Sequence, residues 1–298
     1  MTEGMPAIVI NDLRKYFGAG KKEVKAVDGI SFSVPRGQIF GFLGKNGAGK
    51  TTTIRCLMDF IRPTSGSISI LGRDAQVNAV ELKHQIGYLS GNVQLNKRWT
   101  GQQHIDYYSK INSNARDVQN LITRLSFDPS MKTKQLSSGN RQKLGIILAL
   151  MHQPNLIILD EPTNALDPLL QQIVYDLLEK ARDRGATIFM SSHNLAEVER
   201  VCDSVAIIKE GQLVATETIA SLSDKHVYTV KARFSQVLDD TRLQLPNTTI
   251  GLKDNEHVTL SIKGDIAPIL SQLSQLPLED IEVKHASLEE MFLEYYQN

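Results

Sequence analysis

Along most of the chain, short apolar runs alternate with amphipathic stretches, and the rhythm changes toward the end. Residues 156–159, 187–190 and 205–208 are short apolar runs bounded by polar breaks. Strands of a parallel sheet are covered on both faces and read this way. Residues 38–43 are a further nearly continuous apolar run that ends in a glycine-rich segment. Residues 7–10 and 30–34 predict two further strands that bracket a polar turn around residues 18–23. The spacing of Ile54, Leu57, Met58 and Ile61 predicts a helix after Lys50, stopped by Pro63. A strand then precedes a loop, with helices on either side of residue 92. Residues 100–125 mix helical patterning with polar breaks, and residues 144–150 read as a buried helix end. Residues 169–184 predict a helix that crosses over the sheet between the runs at 156–159 and 187–190. Strands alternating with helices imply an α/β fold with a parallel sheet.

The character changes near residues 223–225. Residues 227–234 and 257–262 alternate like half-exposed strands, residues 266–276 predict an amphipathic helix and residues 281–283 a short strand. Ser287, Leu288, Glu289 and Glu290 fit a capping box that opens a last helix through Tyr296. The expected organisation is a first domain over residues 1–222, with a helical subdomain at about 90–150, and a small α+β domain over residues 223–298.

Composition narrows the function classes. A chain of 298 residues suits about two domains. Lys plus Arg and Asp plus Glu are equal at 33 each, so net charge gives no pull toward nucleic acid or anionic lipid, and no nucleic-acid partner is expected. A bilayer span needs about 20 consecutive apolar residues, whereas the longest stretches, such as 145–151, are far shorter. Met1-Thr2-Glu3-Gly4 lacks the basic start and apolar core of a signal peptide. Cys56 and Cys202 sit in apolar surroundings, which favours two reduced, buried thiols of a cytosolic protein over a disulfide or metal site.

The chemistry begins at Gly44-Lys45-Asn46-Gly47-Ala48-Gly49-Lys50-Thr51-Thr52, directly after a predicted strand and opening a predicted helix. This matches the phosphate-binding loop. Its backbone N–H groups form a nest for phosphate oxygens, the helix N-terminus adds a favourable dipole, and glycines admit close approach. Lys50 is expected on the β- and γ-phosphates and Thr51 on Mg²⁺. Asp160 ends an apolar strand and is followed by Glu161. The first carboxylate suits Mg²⁺ and the second the polarising of an attacking water. Without the upstream loop, two acids at a strand end would be an ordinary solvated terminus.

Further motifs follow in order. Leu136-Ser137-Ser138-Gly139-Asn140 resembles the signature sequence of ATP-binding-cassette (ABC) ATPases, usually written LSGGQ. Arg141-Gln142-Lys143 and the acidic strand end follow it as in that family. Asn164-Ala165-Leu166-Asp167 resembles the family's D-loop, and His193 its switch histidine. The resemblance covers about residues 8–215. It implies an α/β P-loop NTPase cassette with a parallel core sheet, N-terminal antiparallel strands and a helical subdomain. It also implies ATP and Mg²⁺ as cofactors and a site shared between two subunits, either a homodimer or a pair with a paralogous ABC subunit. In that arrangement Ser137, Ser138, Gly139 and Asn140 cap the γ-phosphate held by the partner, Asp167 belongs to the same interface, and His193 contacts the γ-phosphate. By family spacing Phe17 stacks on adenine, with its neighbour Tyr16 as substitute.

Three departures stand out. Ser138 and Asn140 replace the usual Gly and Gln but keep small or amide groups. Lys45 stands where proline is common. The glutamine that usually follows the strand at 86–89, contacting Mg²⁺ and linking to the membrane partner, is missing: Gly91 holds its place, and either Asn92 or Gln94 is expected to stand in for it. The segment up to Tyr108, with Trp99 and Tyr107, is the expected groove for a membrane partner. The region 86–108 and the ending 288–296 resemble ATPase subunits of bacterial multidrug, antibiotic-resistance and bacteriocin exporters. That implies a separate integral-membrane permease and a place on the cytoplasmic face of the cell membrane. The alternatives are an importer ATPase with a regulatory C-terminal domain, which normally keeps the glutamine absent at 91, and a soluble non-transport ABC ATPase, which usually carries two cassettes or a long insertion.

Overall fold

The computed structural model describes residues 4–111, 115–223, 227–239 and 245–285. The capping box at Ser287 and the helix expected through Tyr296 lie outside them. The chain forms two compact units, residues 1–216 and 217–298.

In the first unit, β1 (Ile8–Phe17), β2 (Val24–Val34), β4 (Ser65–Ile70) and β5 (Arg73–Asp74) form an antiparallel sheet in the order β2-β1-β4-β5. Its inward side chains, Ile8, Ile10, Leu13, Ile30 and Val34, are fully buried. They belong to one core with Phe40 and Phe42 of β3 (Ile39–Leu43). Phe32 stacks on Phe40, Phe42 and, from a neighbouring strand, Phe189, with centroids 5.5 to 6.2 Å apart. Such pairs add about 0.5–1.5 kcal/mol each beyond their buried area. Cys56 and Cys202 are buried free thiols.

The helix after β3, α1 (Lys50–Leu57), is shorter than its apolar spacing predicts. It stops before Pro63 because Asp59 turns into the left-handed region at φ +50°, which Asp tolerates better than most residues. Ile61 is still packed against the core, but from the turn. Next come α2 (Ala79–Lys83) and β6 (Ile86–Leu89). The helices α3 (Gly101–Ile111), α4 (Val118–Arg124) and α5 (Ser138–Leu150) follow. The remaining elements of this unit are β7 (Leu156–Asp160), α6 (Pro168–Asp183), β8 (Thr187–Ser192), α7 (Leu195–Val201), β9 (Ser204–Lys209) and β10 (Gln212–Thr218), the last of which crosses the unit boundary.

The central sheet runs β10-β9-β3-β8-β7-β6, and β9, β3, β8, β7 and β6 are parallel. Every residue of β3, β7 and β8 is buried, as the continuous apolar runs require. Leu43 pairs with Ser192, and Asp160 pairs with Ser191. The loops leaving β3, β8 and β7 therefore emerge side by side at the carboxyl edge of the sheet, where open α/β sheets bind ligands.

The second unit contains α8 (Ile219–Ser223), β11 (Val227–Phe234), β12 (Thr248–Asp254), β13 (His257–Lys263), α9 (Ala267–Leu273) and β14 (Leu278–His285). Its antiparallel sheet has the order β12-β13-β11-β14, and Val230, Phe234, Leu260 and Ile262 pack with Ile269 and Leu273 of α9. β12 was not legible in the sequence, because five of its seven residues are polar or glycine and it lies at the sheet edge.

Candidate active site

The loop between β3 and α1 is shaped by close approaches. A Cβ at Gly44 would lie 2.5 Å from the Ile208 carbonyl oxygen, and one at Gly49 would lie 2.4 Å from that of Ala26. Gly49 also has φ +111°, so neither position takes a side chain without a shift. Around this loop lies a cavity of about 440 Å³, lined by Lys45, Asn46, Gly47, Gly49, Lys50, Thr51 and Thr52. Ala26, Arg55, Tyr88, Ser90, Gly91, Asn92, Asp160, Glu161, Asn164 and His193 complete the lining.

Lys50 is only 5% exposed. Its Nζ donates to the carbonyls of Gly44 at 2.6 Å and Lys45 at 3.3 Å, and lies 3.2 Å from Glu161 Oε1. The other oxygen of Glu161 meets His193 Nδ1 at 2.5 Å. The carboxylate thus sits between the lysine and a half-exposed imidazole. Glu161 holds a left-handed backbone, φ +53°, which costs a non-glycine residue of order 1–3 kcal/mol. The turn is held by its own N–H, which donates to Ser191 Oγ at 3.1 Å, and by Gln142, whose Nε2 donates to the carbonyls of Glu161 and Pro162.

Asp160 is buried. Its Oδ2 accepts from Thr51 Oγ1 at 2.9 Å and its Oδ1 from Ser191 Oγ at 2.6 Å. A hydroxyl and a carboxylate oxygen, side by side in a loop built for phosphate, suit a small hard cation that keeps waters and phosphate oxygens in its shell. Among the described residues no group of three or more His, Cys, Asp or Glu forms a protein-only metal cage.

Other expected residues lie elsewhere. Ser137 caps α5, its Oγ accepting from Asn140 N at 3.2 Å, with Ser138, Gly139 and Asn140 in the first turn. Asp167 caps α6, accepting from Leu170 N at 3.0 Å. None of these five lines the cavity of its own chain. Phe17 is exposed at the end of β1 with Lys15 Nζ 5.0 Å from its ring centroid, also outside the lining, while the Tyr16 hydroxyl is bonded to Asp28. Asn92 lines the cavity, whereas Gln94 lines a second one of about 410 Å³ with Phe60, Tyr88, Leu89, Val93 and Tyr108. Trp99 packs edge-on against His104 and Tyr107 instead.

Sequence reasoning missed Ser191, Thr163 and Glu197, and saw Ser192 only as the neighbour of His193. Glu197 is 3% exposed, and its carboxyl accepts from Thr163 Oγ1 at 2.7 Å and Ser192 Oγ at 2.5 Å. Burial pushes this carboxyl above the usual glutamate range, against the opposing pull of its hydroxyl donors, while Glu161 raises it and His193 lowers it. The folded protein then binds this proton more readily than the unfolded chain, so the stability contribution is present at low pH and lost as pH rises through the folded value. Glu197→Gln is therefore expected to melt above the wild type near neutrality, with the gap closing as pH falls toward the ordinary value of 4.5. Thermal melts from about pH 8 to about pH 5 check this. A gap that widens toward acid overturns it.

The matching family model, described as ABC transporter, covers residues 27–164. The chain is 40% identical over 215 residues to the bacitracin transport ATP-binding protein BcrA of Bacillus licheniformis, covering 70% of this chain and 68% of that one. It is 31% identical over 277 residues, 90% of each chain, to the uncharacterized ABC transporter ATP-binding protein YhcH of Bacillus subtilis (strain 168). Among solved structures, an ATP-binding subunit of an ABC transporter superposes with a TM-score of 0.67 at 27% identity, over 73% of this chain and 92% of that one.

Proposed function

Because the chain belongs to the ABC transporter ATP-binding proteins, a family of ATPases, we propose that it drives export through a separate membrane permease by closing on ATP as a dimer. The observation that carries this reading is the split of its motifs. The cavity gathers the phosphate loop, Asp160, Glu161 and His193, while Ser137 to Asn140 lie outside it. A second subunit supplies what one chain's cavity lacks.

In this reading the backbone N–H groups of residues 47–52 and Lys50 neutralise the phosphate charge. Thr51 and Asp160 hold Mg²⁺, which when bound draws charge from the phosphate oxygens. Glu161 orients the attacking water and takes up its proton. His193 holds Glu161 in place through Nδ1 and presents the rest of its ring to the γ-phosphate. Phosphate leaves, and the subunits part. Phe17 stacks on the adenine.

Export is favoured by the resemblance to exporter subunits and by the absence at position 91 of the glutamine that importer ATPases normally keep; the name of BcrA gives transport of bacitracin without its direction. No helix among the described residues is long and apolar enough to cross a membrane, and the resemblance to exporter subunits assigns the translocation path to a separate permease. The permease docks at the cytoplasmic face of the membrane, in the second cavity. There Phe60 and Tyr108 are apolar yet exposed. Asn92 stands at the nucleotide and Gln94 at the dock, two residues apart on one loop. Tyr108→Ala is expected to keep basal ATPase activity and lose stimulation by the co-reconstituted permease, whereas Asn92→Ala lowers basal activity. Steady-state assays with and without permease check both. Stimulation left intact by Tyr108→Ala removes the proposed dock.

A further inference from the structure

We propose that Glu197 is a positioning residue for ATP hydrolysis, clamping the strand end that carries His193 to the turn that follows Glu161. The inference rests on the roles proposed for Glu161 and His193 and goes beyond them. Glu197 lies in the first turn of α7, where an acidic side chain is common because it faces the positive helix end. Such residues are ordinarily solvated. This one turns inward and is 3% exposed.

Its two oxygens reach two different segments. Oε1 accepts from Thr163, two residues after Glu161. Oε2 accepts from Ser192, the residue directly before His193. Both segments are further braced. Ser192 Oγ accepts from Asn194 N at 2.9 Å, Asn164 N donates to the Glu161 carbonyl at 3.2 Å and Leu166 N to the Thr163 carbonyl at 3.1 Å. Burying a carboxylate is costly, and hydroxyl donors offset only part of that cost. A fold that needed only to fill this space would do so more favourably with an apolar side chain. The geometry instead fixes the separation between Glu161 and His193, which meet at 2.5 Å across the cavity. Misplacing reacting groups by about 1 Å costs on the order of 10²-fold in rate.

The test uses the full chain and separates turnover from binding. Glu197→Ala is expected to lower kcat by about 10- to 100-fold, with affinity for a fluorescent ATP analogue changed by less than about twofold. Glu197→Gln is expected to recover most of the rate, because its carbonyl accepts from one hydroxyl and its amide donates to the other. Thr163→Val and Ser192→Ala each lower kcat in part, and together less than the product of their separate effects, since both act through one carboxyl. A plain packing role predicts a loss of thermal stability with kcat and ATP affinity falling together and no rescue by Gln, and that pattern overturns the proposal. So does wild-type kcat in Glu197→Ala. If Glu197→Ala does not fold, the Thr163 and Ser192 pair decides, and independent, multiplicative effects overturn the clamp. Glu161→Gln serves as the reference. Normal turnover in that variant removes the underlying site reading, whereas an inactive Glu161→Gln beside an unaffected Glu197→Ala removes only the clamp.

Discussion

Glu161→Gln is expected to cut ATP hydrolysis by about 10²- to 10⁴-fold, the usual contribution of a positioned general base, while ATP binding persists. The amide keeps the shape of the side chain and its place between Lys50 and His193, but it takes no proton from water. ATP that binds and is not consumed should trap the dimer, so size-exclusion chromatography with ATP and Mg²⁺ should show a shift to twice the monomer mass. Lys50→Ala supplies the contrast. It removes the cation buried at the base of the loop, so binding and hydrolysis should fall together. A Glu161→Gln protein that hydrolyses at the wild-type rate ends the assignment of Glu161 as base.

The second large effect is expected at Ser137→Arg: nearly unchanged ATP binding by the single chain, with hydrolysis abolished. Ser137 caps α5 and lies outside its own chain's cavity. Loss of the cap costs about 0.5–2 kcal/mol, less than the roughly 5–15 kcal/mol that holds a typical domain folded. Unfolding therefore does not explain a dead enzyme. The bulky cation would instead block the approach of a second subunit's γ-phosphate. Mixing Ser137→Arg with Lys50→Ala provides the positive arm. In the mixed dimer one site combines an intact phosphate loop from one chain with an intact Ser137 from the other, so activity should reappear. Normal hydrolysis by Ser137→Arg as a monomer would refute the shared site.

Much of this molecule is legible as text because its sheet is parallel and covered on both faces. Residues 156–159, 187–190 and 205–208 announce β7, β8 and β9 through apolarity alone, and the phosphate loop through fixed spacing. What stayed hidden depends on one dihedral or on contacts between distant residues. The end of α1 is set by the left-handed Asp59, while the apolar periodicity runs on to Ile61. Ser191 reaches Asp160 across 31 residues and Glu161 across 30, and Glu197 reaches Thr163 across 34. Spacing along a chain carries no signal for such pairs. In the sequence, Glu197 is one of two acids in the short stretch that forms α7.

Gly91 bears on how this chain can change. A Cβ placed there would lie 3.0 Å from Asp160 Oδ2 and 3.2 Å from its Cγ. Position 91 is where the resemblance to ABC ATPases leads one to expect a glutamine, yet here the backbone lies close to the carboxylate expected to hold the metal. A side chain at 91 therefore needs Asp160, which is held by Thr51 and Ser191, to give by a few tenths of an ångström. The room for a glutamine there is set by those two hydroxyls. A change at position 91 is thus read out at residue 160, on the neighbouring strand end, rather than within its own loop.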